Sequence, residues 1–544
     1  MPGLFRKSPT HVTEESCDVF IVGSGPIGAY YAKTLYEARP NLKILMAEIG
    51  ANYSTKYGSN AKNAYIFNSS DDGLDVLSHI VKGELVPIST PISQPWPEGV
   101  EPRSQPPSPP PHYKINSSNP EQKDWNNMPA ARASYQVGGM GGHWTCCTPR
   151  PYHDEFPDSE LYSKSEFESL LSEGEKILST TQESFADSLR GNIMVDQLND
   201  EFKELSPSRK VQMLPLASVK DKQSGWVRWI GPDDLFGPLA NPGGVPAERF
   251  QLWQEHIVRR LQVDHRNNII AAEVEHLPSN TKKLVKAKHF IVAGGAFSTP
   301  QLLWNSGIRP EPLGHYLNEH PMCFTQIVLS RDLVTKCQRL YHKKCKEAGL
   351  DPDPYCIPED DPIPNVWIPY SENHPYHAQI HRDSFPYSTL PENLGVDRRL
   401  IIDLRWFCKK EIRKEDRVKF SSTYKDMYGM PQPTFEYGLS HKDEEVISGA
   451  LKDMQRAAGA LGGYLPGSPP LMLPRGSSLH YMGLYRVGVD PKTSVCDRDS
   501  KVWGYNNLYL GGNGIIPTSN TCNSTLTSLA IAIRGAKKLL QKLI

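Results

Sequence analysis

The stretch DVFIVGSGPIGAYYAKTLYEARPNLKILMAEIG, Asp18 to Gly50, restricts the fold more than any other part of the chain. DVFIV is a short strand-type run, GSGPIG a turn, AYYAKTLYEA a helix, and NLKILMAEIG a second apolar strand that ends in Glu48. That order makes a βαβ unit. Gly23, Gly25 and Gly28 stand in the turn as G-x-G-x-x-G. Without a Cβ the chain can turn tightly there and let a ligand approach its backbone. The helix that follows offers N–H groups and partial positive charge to a pyrophosphate. Glu48, 20 residues past Gly28, falls where this fingerprint places the acid that takes ribose hydroxyls. Glycines alone would be weak evidence. Strand, turn, helix and acid in register predict a bound dinucleotide, and an acid at the ribose disfavours a 2′-phosphate, which leaves FAD or NAD.

At 544 residues the chain exceeds the usual size of one core, so two or more domains are expected. A net charge of −1, from 60 basic and 61 acidic residues, gives no reason to expect nucleic acid or an acidic membrane as partner. No run approaches the ~18 apolar residues of a membrane span. The ten cysteines include no CxxC pair, which argues against a disulfide scaffold or a zinc site. MPGLFRKSPTHVTEESCDVF has no apolar h-region and the chain does not end in S-K-L. The expectation is a cytoplasmic protein or one secreted by an unconventional route. Val86 to Lys114 is dense in proline and reads as an extended surface arm, with wrapping of a second subunit in a homo-oligomer as the alternative. HFIVAGG is a buried-type strand, TPQLLWNSG a helix and RRLIIDLRWF a strand, and the C-terminal NLYLGGNGIIPTSNTCNSTLTSLAIAIRGAKKLL returns to α/β character.

One further segment fits neither an amphipathic helix nor an alternating strand: GGMGGHWTCCTP, Gly138 to Pro149, which holds a histidine on a glycine-rich backbone. Together with HPYHAQIHRDSF, RRLIIDLRWF, MPQPTFEYG, GGYLPGS and NLYLGGNGIIPT…NSTLTSLAIA, it resembles the glucose-methanol-choline (GMC) oxidoreductases, and within them the sugar-oxidising branch. The blocks run in family order from about Asp18 onward. The resemblance implies an α/β (α+β overall) chain with a Rossmann-like FAD-binding domain and a substrate-binding domain on a large antiparallel sheet with helices. It implies residues 15–150, 233–329 and 485–544 for the first domain, and 151–232 and 330–484 for the second. It also implies that His143, of H-W-T-C, is joined to the methyl carbon of the flavin ring, that Thr145 lies near flavin N5, and that Gly512 and Thr518 contact the cofactor. Gly142 departs from the pattern, which usually has threonine there.

Oxidation of an alcohol needs a base for the hydroxyl proton while hydride leaves carbon, and a partner that holds the oxygen in line. A neutral histidine suits the first role. By resemblance the base is His480 in SSLHYMG, where Tyr481 replaces a family arginine, and the partner is Asn523 in TCNSTLTSLAIA. As a residue in its own right Asn523 also reads as the N-cap of the last helix, whose N-terminus would favour an anionic reduced flavin. Gln379 and Asp383 in AQIHRDSF and Arg405 in DLRWF are the implied sugar contacts, with an ordinary in-sheet salt bridge as the other reading of Arg405. Asp383 to Glu392 is the expected gating loop. The expected activity is oxidation of a pyranose hydroxyl, at C2, with O2 or a quinone as acceptor. A glycoside oxidised at C3 is the alternative, and a flavoprotein lyase a further one.

Overall fold

The computed structural model describes residues 12–64, 85–91, 118–205, 207, 209–352, 357–358, 361–382 and 395–543. Asp383, the expected gating loop and most of the proline-rich arm lie outside the described residues.

The βαβ unit forms as the sequence pattern requires. Strand Thr13–Val22, helix Pro26–Ala38 and strand Ile44–Ala47 follow one another, and the two strands pair in parallel. Val19, Phe20 and Ile21 are wholly buried, because helices and loops cover both faces of the sheet. Parallel strands Phe250–Trp253, Ile44–Ala47, Thr13–Val22 and Thr281–Val292 lie in that spatial order. Leu508–Leu510, from near the C-terminus, adds in parallel to the end of Thr281–Val292. The earlier half of that long strand instead starts an antiparallel ladder with Ile269–His276 and His256–Val263.

Helix Ser524–Leu540 crosses helix Pro26–Ala38 at short range: a Cβ on Gly535 would stand 2.3 Å from Tyr31 Oη. Helix Lys164–Ile177, expected with the substrate-binding part, packs on Ser524–Leu540 instead. Its Phe167, Leu170 and Leu171 enter the same core, and a Cβ on its Gly174 would reach 2.9 Å from Leu526.

A second sheet is antiparallel, in the order Gly462–Tyr464, Met322–Leu329, Ile401–Cys408, Tyr376–His381, Asn365–Ile368 and Gln212–Met213. Its strands show a clean period of two. Ile402, Leu404, Trp406 and Cys408, with Tyr376, Ala378 and Ile380, join the core beneath helices Leu189–Glu201 and His441–Leu461. The alternate positions carry His377, Gln379, His381, Asp403, Arg405 and Phe407, all buried. One face is therefore an ordinary hydrophobic core and the other a buried polar wall.

A charged cluster fastens the helical side. Arg209 makes a two-pronged ion pair with Asp453 on helix His441–Leu461, at 2.9 and 3.2 Å, and Trp406 donates its indole N–H to the same carboxylate at 2.9 Å. Arg209 and Asp453 are both nearly inaccessible to water. Among the described residues no helix is long and apolar enough to cross a membrane.

Asp453→Ala leaves a buried guanidinium and an indole N–H without their acceptor. It is expected to destabilise the protein by roughly 3–5 kcal/mol, read as a lowered midpoint in thermal or urea unfolding of the flavin-loaded protein.

Candidate active site

The parallel strands Thr13–Val22, Ile44–Ala47, Thr281–Val292 and Leu508–Leu510 all end at one internal cavity, the place where open α/β sheets take ligands. The three fingerprint glycines serve it differently. Gly23 has φ +93°, and a Cβ on it would lie 2.4 Å from Ala293 O. On Gly28 a Cβ would lie 2.0 Å from Gly23 O, so this glycine permits the helix to sit against the turn. Gly25 is the N-cap of the helix, and its nearest protein atom would be 3.9 Å from a Cβ. It lines the cavity and leaves that space to a ligand. Glu48 accepts from Ser24 N at 2.8 Å, Ser24 Oγ at 2.7 Å and Gly50 N at 3.1 Å, which ties the turn to the second strand while the side chain borders the cavity. Burial raises its carboxyl above the usual range.

His143 and Thr145 also line the cavity. The glycine run before them forms a short 3₁₀ turn, Gly139–Gly142, entered through Gly138 at φ +95°. His143 is buried, its Nε2 lies 2.9 Å from Ser134 Oγ, and its Nδ1 has no protein partner. Burial pushes its pKa down to about 4, so the imidazole is neutral and nucleophilic near neutral pH. A Cβ on Gly142 would come within 3.2 Å of the Gln136 amide, which borders the space beside this glycine.

His480 and Asn523 meet at the cavity wall: Asn523 Nδ2 donates to His480 Nε2 at 3.2 Å. Asn523 does occupy the N-cap position of helix Ser524–Leu540, but its side chain makes no capping bond. Its Oδ1 instead accepts from Gln379 Nε2 at 2.5 Å. Leu479, directly before His480, has a left-handed φ of +59°, uncommon for a branched residue and characteristic of strained functional loops. Burial, then the neighbouring His320 and His377, hold His480 well below the ordinary histidine pKa.

The remaining sequence-derived residues divide. Gly512 lines the cavity at φ +105°. Thr518 does not. After the turn Asn513–Ile515 the chain buries Ile515 and Ile516 and carries Thr518 away to a separate cavity beside Lys409 and Glu155. Gln379 stands one layer behind the cavity and reaches it through Asn523. Arg405 is paired with Asp403 at 2.8 Å on the same face of its strand, the in-sheet salt bridge, and Asp403 also accepts from Gln326.

Three participants were not singled out in the sequence. His320 lies with its Nδ1 3.0 Å from His480 Nδ1. Glu319 accepts from Gly476 N and from Ser478 N and Oγ, so it clamps the loop that carries His480. Burial raises its pKa to about 7. Phe407 packs against the rings of His320, His377 and His480. The one available signal was the acid–histidine–proline order in LNEHPMC, ahead of an apolar strand.

A Rossmann-type glycine turn opening on a cavity, with a neutral histidine and an amide at its far wall, defines a dinucleotide-dependent oxidoreductase. The chain belongs to the GMC oxidoreductase family: family models of that description match residues 247–322 and 413–532. It is 36% identical to pyranose 2-oxidase of Emericella nidulans, over 99% of this chain and 95% of that protein. It is 33% identical to C-glycoside 3-oxidase of Arthrobacter globiformis, over 97% of this chain and 95% of that protein. The fold matches that of formate oxidase with a TM-score of 0.64 at 12% identity, covering 98% of this chain and 99% of that one. FAD is the cofactor. The cavity fits it: Gly25 offers a cradle that a Cβ would fill, the N-terminus of helix Pro26–Ala38 lines the cavity and could take a phosphate, and His143 Nδ1 is a buried polar atom without a protein partner.

Gly23→Ala places a methyl group against the Ala293 carbonyl and demands a positive φ of a residue with a Cβ. The variant is expected to purify with little or no flavin, measured as flavin absorbance per mole of protein.

Proposed function

We propose that this chain oxidises a secondary hydroxyl of a glucose-like pyranose, at C2, to a ketone and reduces O2 to hydrogen peroxide. The observation that carries the reading is the His480 Nε2–Asn523 Nδ2 contact at the cavity wall, in a chain similar to pyranose 2-oxidases over nearly its whole length. FAD, when bound, supplies the hydride acceptor and passes the electrons to O2. The rest falls to the chain. His480 Nε2 takes the hydroxyl proton, and the Asn523 amide N–H holds the substrate oxygen so that the carbinol hydrogen faces the cofactor. Gln379 fixes the Asn523 amide by taking its Oδ1, which turns its Nδ2 toward the base. Arg405 and Asp383 are proposed as sugar contacts, Arg405 with its charge already balanced by Asp403. Quinones as alternative acceptors and a homo-oligomeric assembly belong to the same proposal. So does the division into an FAD-binding part (15–150, 233–329, 485–544) and a substrate-binding part.

His143 is proposed to carry the flavin covalently. Its support is a neutral, buried imidazole with an unpartnered nitrogen at the cavity. The relative named C-glycoside 3-oxidase supports a second reading, oxidation of a glycoside at C3.

Anaerobic glucose is expected to bleach the flavin and, in air, to release one peroxide per sugar, with a 2-keto product. Bleaching by a glycoside but not by glucose would favour the C3 reading, and a flavin that neither bleaches would overturn both. An acid-precipitated pellet is expected to stay yellow, and His143→Ala to release its flavin to the supernatant.

His480→Asn is expected to slow flavin reduction by roughly 10²–10⁴-fold, the usual worth of a general base, with flavin content unchanged. Because burial holds His480 below the ordinary 6.5, its lone pair is retained at pH values where a solvent-exposed histidine is mostly protonated. The base limb of the kcat/KM profile for sugar is therefore expected to fall at a pH below that of an ordinary histidine. A fall centred near 6.5 would contradict the buried-base assignment.

A further inference from the structure

The hydrogen bonds around His480 go further than naming a base, because they decide which of its nitrogens holds the lone pair. His320 Nε2 is bonded to the backbone oxygen of Asn520, which can only accept. His320 Nε2 therefore carries the hydrogen. Burial pushes the pKa of His320 down to about 4, so the ring is neutral, and a neutral imidazole with hydrogen on Nε2 has a bare Nδ1. That bare nitrogen lies 3.0 Å from His480 Nδ1. Two lone pairs cannot share such a contact, so His480 Nδ1 donates, and the lone pair of His480 is on Nε2. The same conclusion comes from the other side of the ring, where the Asn523 amide presents an N–H to Nε2 while Gln379 takes its carbonyl oxygen. The two rings meet edge-on, with centroids 5.0 Å apart and planes at 72°. Phe407 packs against both and limits their rotation.

We propose that His320 is the positioning residue of the base: its Nδ1 accepts the Nδ1–H of His480, which keeps the reactive lone pair on Nε2, toward Asn523 and the cavity. The proposal rests on the reading of His480 as base. When His480 Nε2 gains the hydroxyl proton, the ring becomes a cation whose Nδ1–H already points at a neutral acceptor. Glu319, the preceding residue, holds the loop by three hydrogen bonds, two from the backbone N–H groups of Gly476 and Ser478 and one from the Ser478 hydroxyl. Neighbouring positions thus fix the base twice: Glu319 sets where the loop runs, and His320 sets which nitrogen is free.

Two conservative substitutions separate this role from support of the Asn520 carbonyl. In His320→Asn an amide oxygen can stand near the former Nδ1 and accept from His480, while the bond to Asn520 is lost. In His320→Gln the amide N–H can reach the Asn520 carbonyl, but no acceptor remains for His480. Flavin-loaded protein is mixed anaerobically with glucose, and the reduction rate constant and apparent sugar affinity are read from flavin bleaching. The expected result is that Gln slows reduction by about 10²-fold with sugar affinity nearly unchanged, and that Asn recovers a tenfold or larger part of that loss. Equal rates in the two variants, a faster Gln variant, or loss of flavin from both would overturn the proposal and leave His320 a structural residue. His480→Asn reports on the underlying reading separately: if it reduces flavin at the native rate, His480 is not the base, whatever the variants at 320 do.

Discussion

The hydrogen bond from Gln379 to Asn523 joins the antiparallel sheet to the last helix at the cavity wall. Gln379 lies on a middle strand of the antiparallel sheet, and Asn523 starts the helix that packs on the βαβ unit. Both side chains are buried, so neither can turn to water if the contact is lost. An unmade buried hydrogen bond costs more than a made one contributes. The seam is therefore held in one arrangement: Gln379 orients Asn523, Asn523 meets His480, His480 meets His320, and His320 ends on a backbone carbonyl. Each member satisfies the next, which is the condition under which a buried polar network rigidifies a site rather than weakening it.

Desolvation governs the protonation of this site more than any ion pair does. His143, His320 and His480 are all held below the ordinary histidine value first by burial. A neutral imidazole serves two distinct ends here. At His143 it leaves a nucleophilic nitrogen at the cavity, the basis of its proposed link to flavin, and at His480 it leaves the lone pair that the proposed base role requires. Burial acts in the opposite sense on the carboxyls of Glu319 and Glu155, whose pKa values both rise to about 7. Two buried cations near the polar wall are ion-paired, Arg405 with Asp403 and Lys410 with Asp416. Among the described residues, His480 is contacted by the Asn523 amide, the His320 ring and the Phe407 ring.

Much of the fold was legible because its signals are local. The strand, glycine turn, helix and second strand between Asp18 and Gly50 depend on spacing within about thirty residues, and each formed where the apolar pattern put it. The polar wall was only half legible. A strand such as Ile401–Cys408 shows its alternation in sequence, but nothing local says that Asp403 pairs with Arg405. Thr518 follows a cavity-lining glycine by six residues, and the burial of Ile515 and Ile516 in between, which sets it beside a second cavity, has no local signal. Helix Lys164–Ile177 likewise shows an amphipathic pattern without saying which core will take it.

The sequence by itself determined the class of cofactor site and the βαβ unit that holds it, because residue type and short spacing suffice for those; its resemblance to a family, not its spacing, put forward a histidine and an asparagine as candidates for the chemistry. The tertiary structure alone decided the state in which these residues work. Which nitrogen of His480 is free depends on His320, 160 positions earlier in the chain, and the amide orientation of Asn523 depends on Gln379, 144 positions earlier. Those contacts arise only when two sheets close on each other and exclude water, and it is that exclusion, not the sequence near either residue, that keeps the imidazoles neutral.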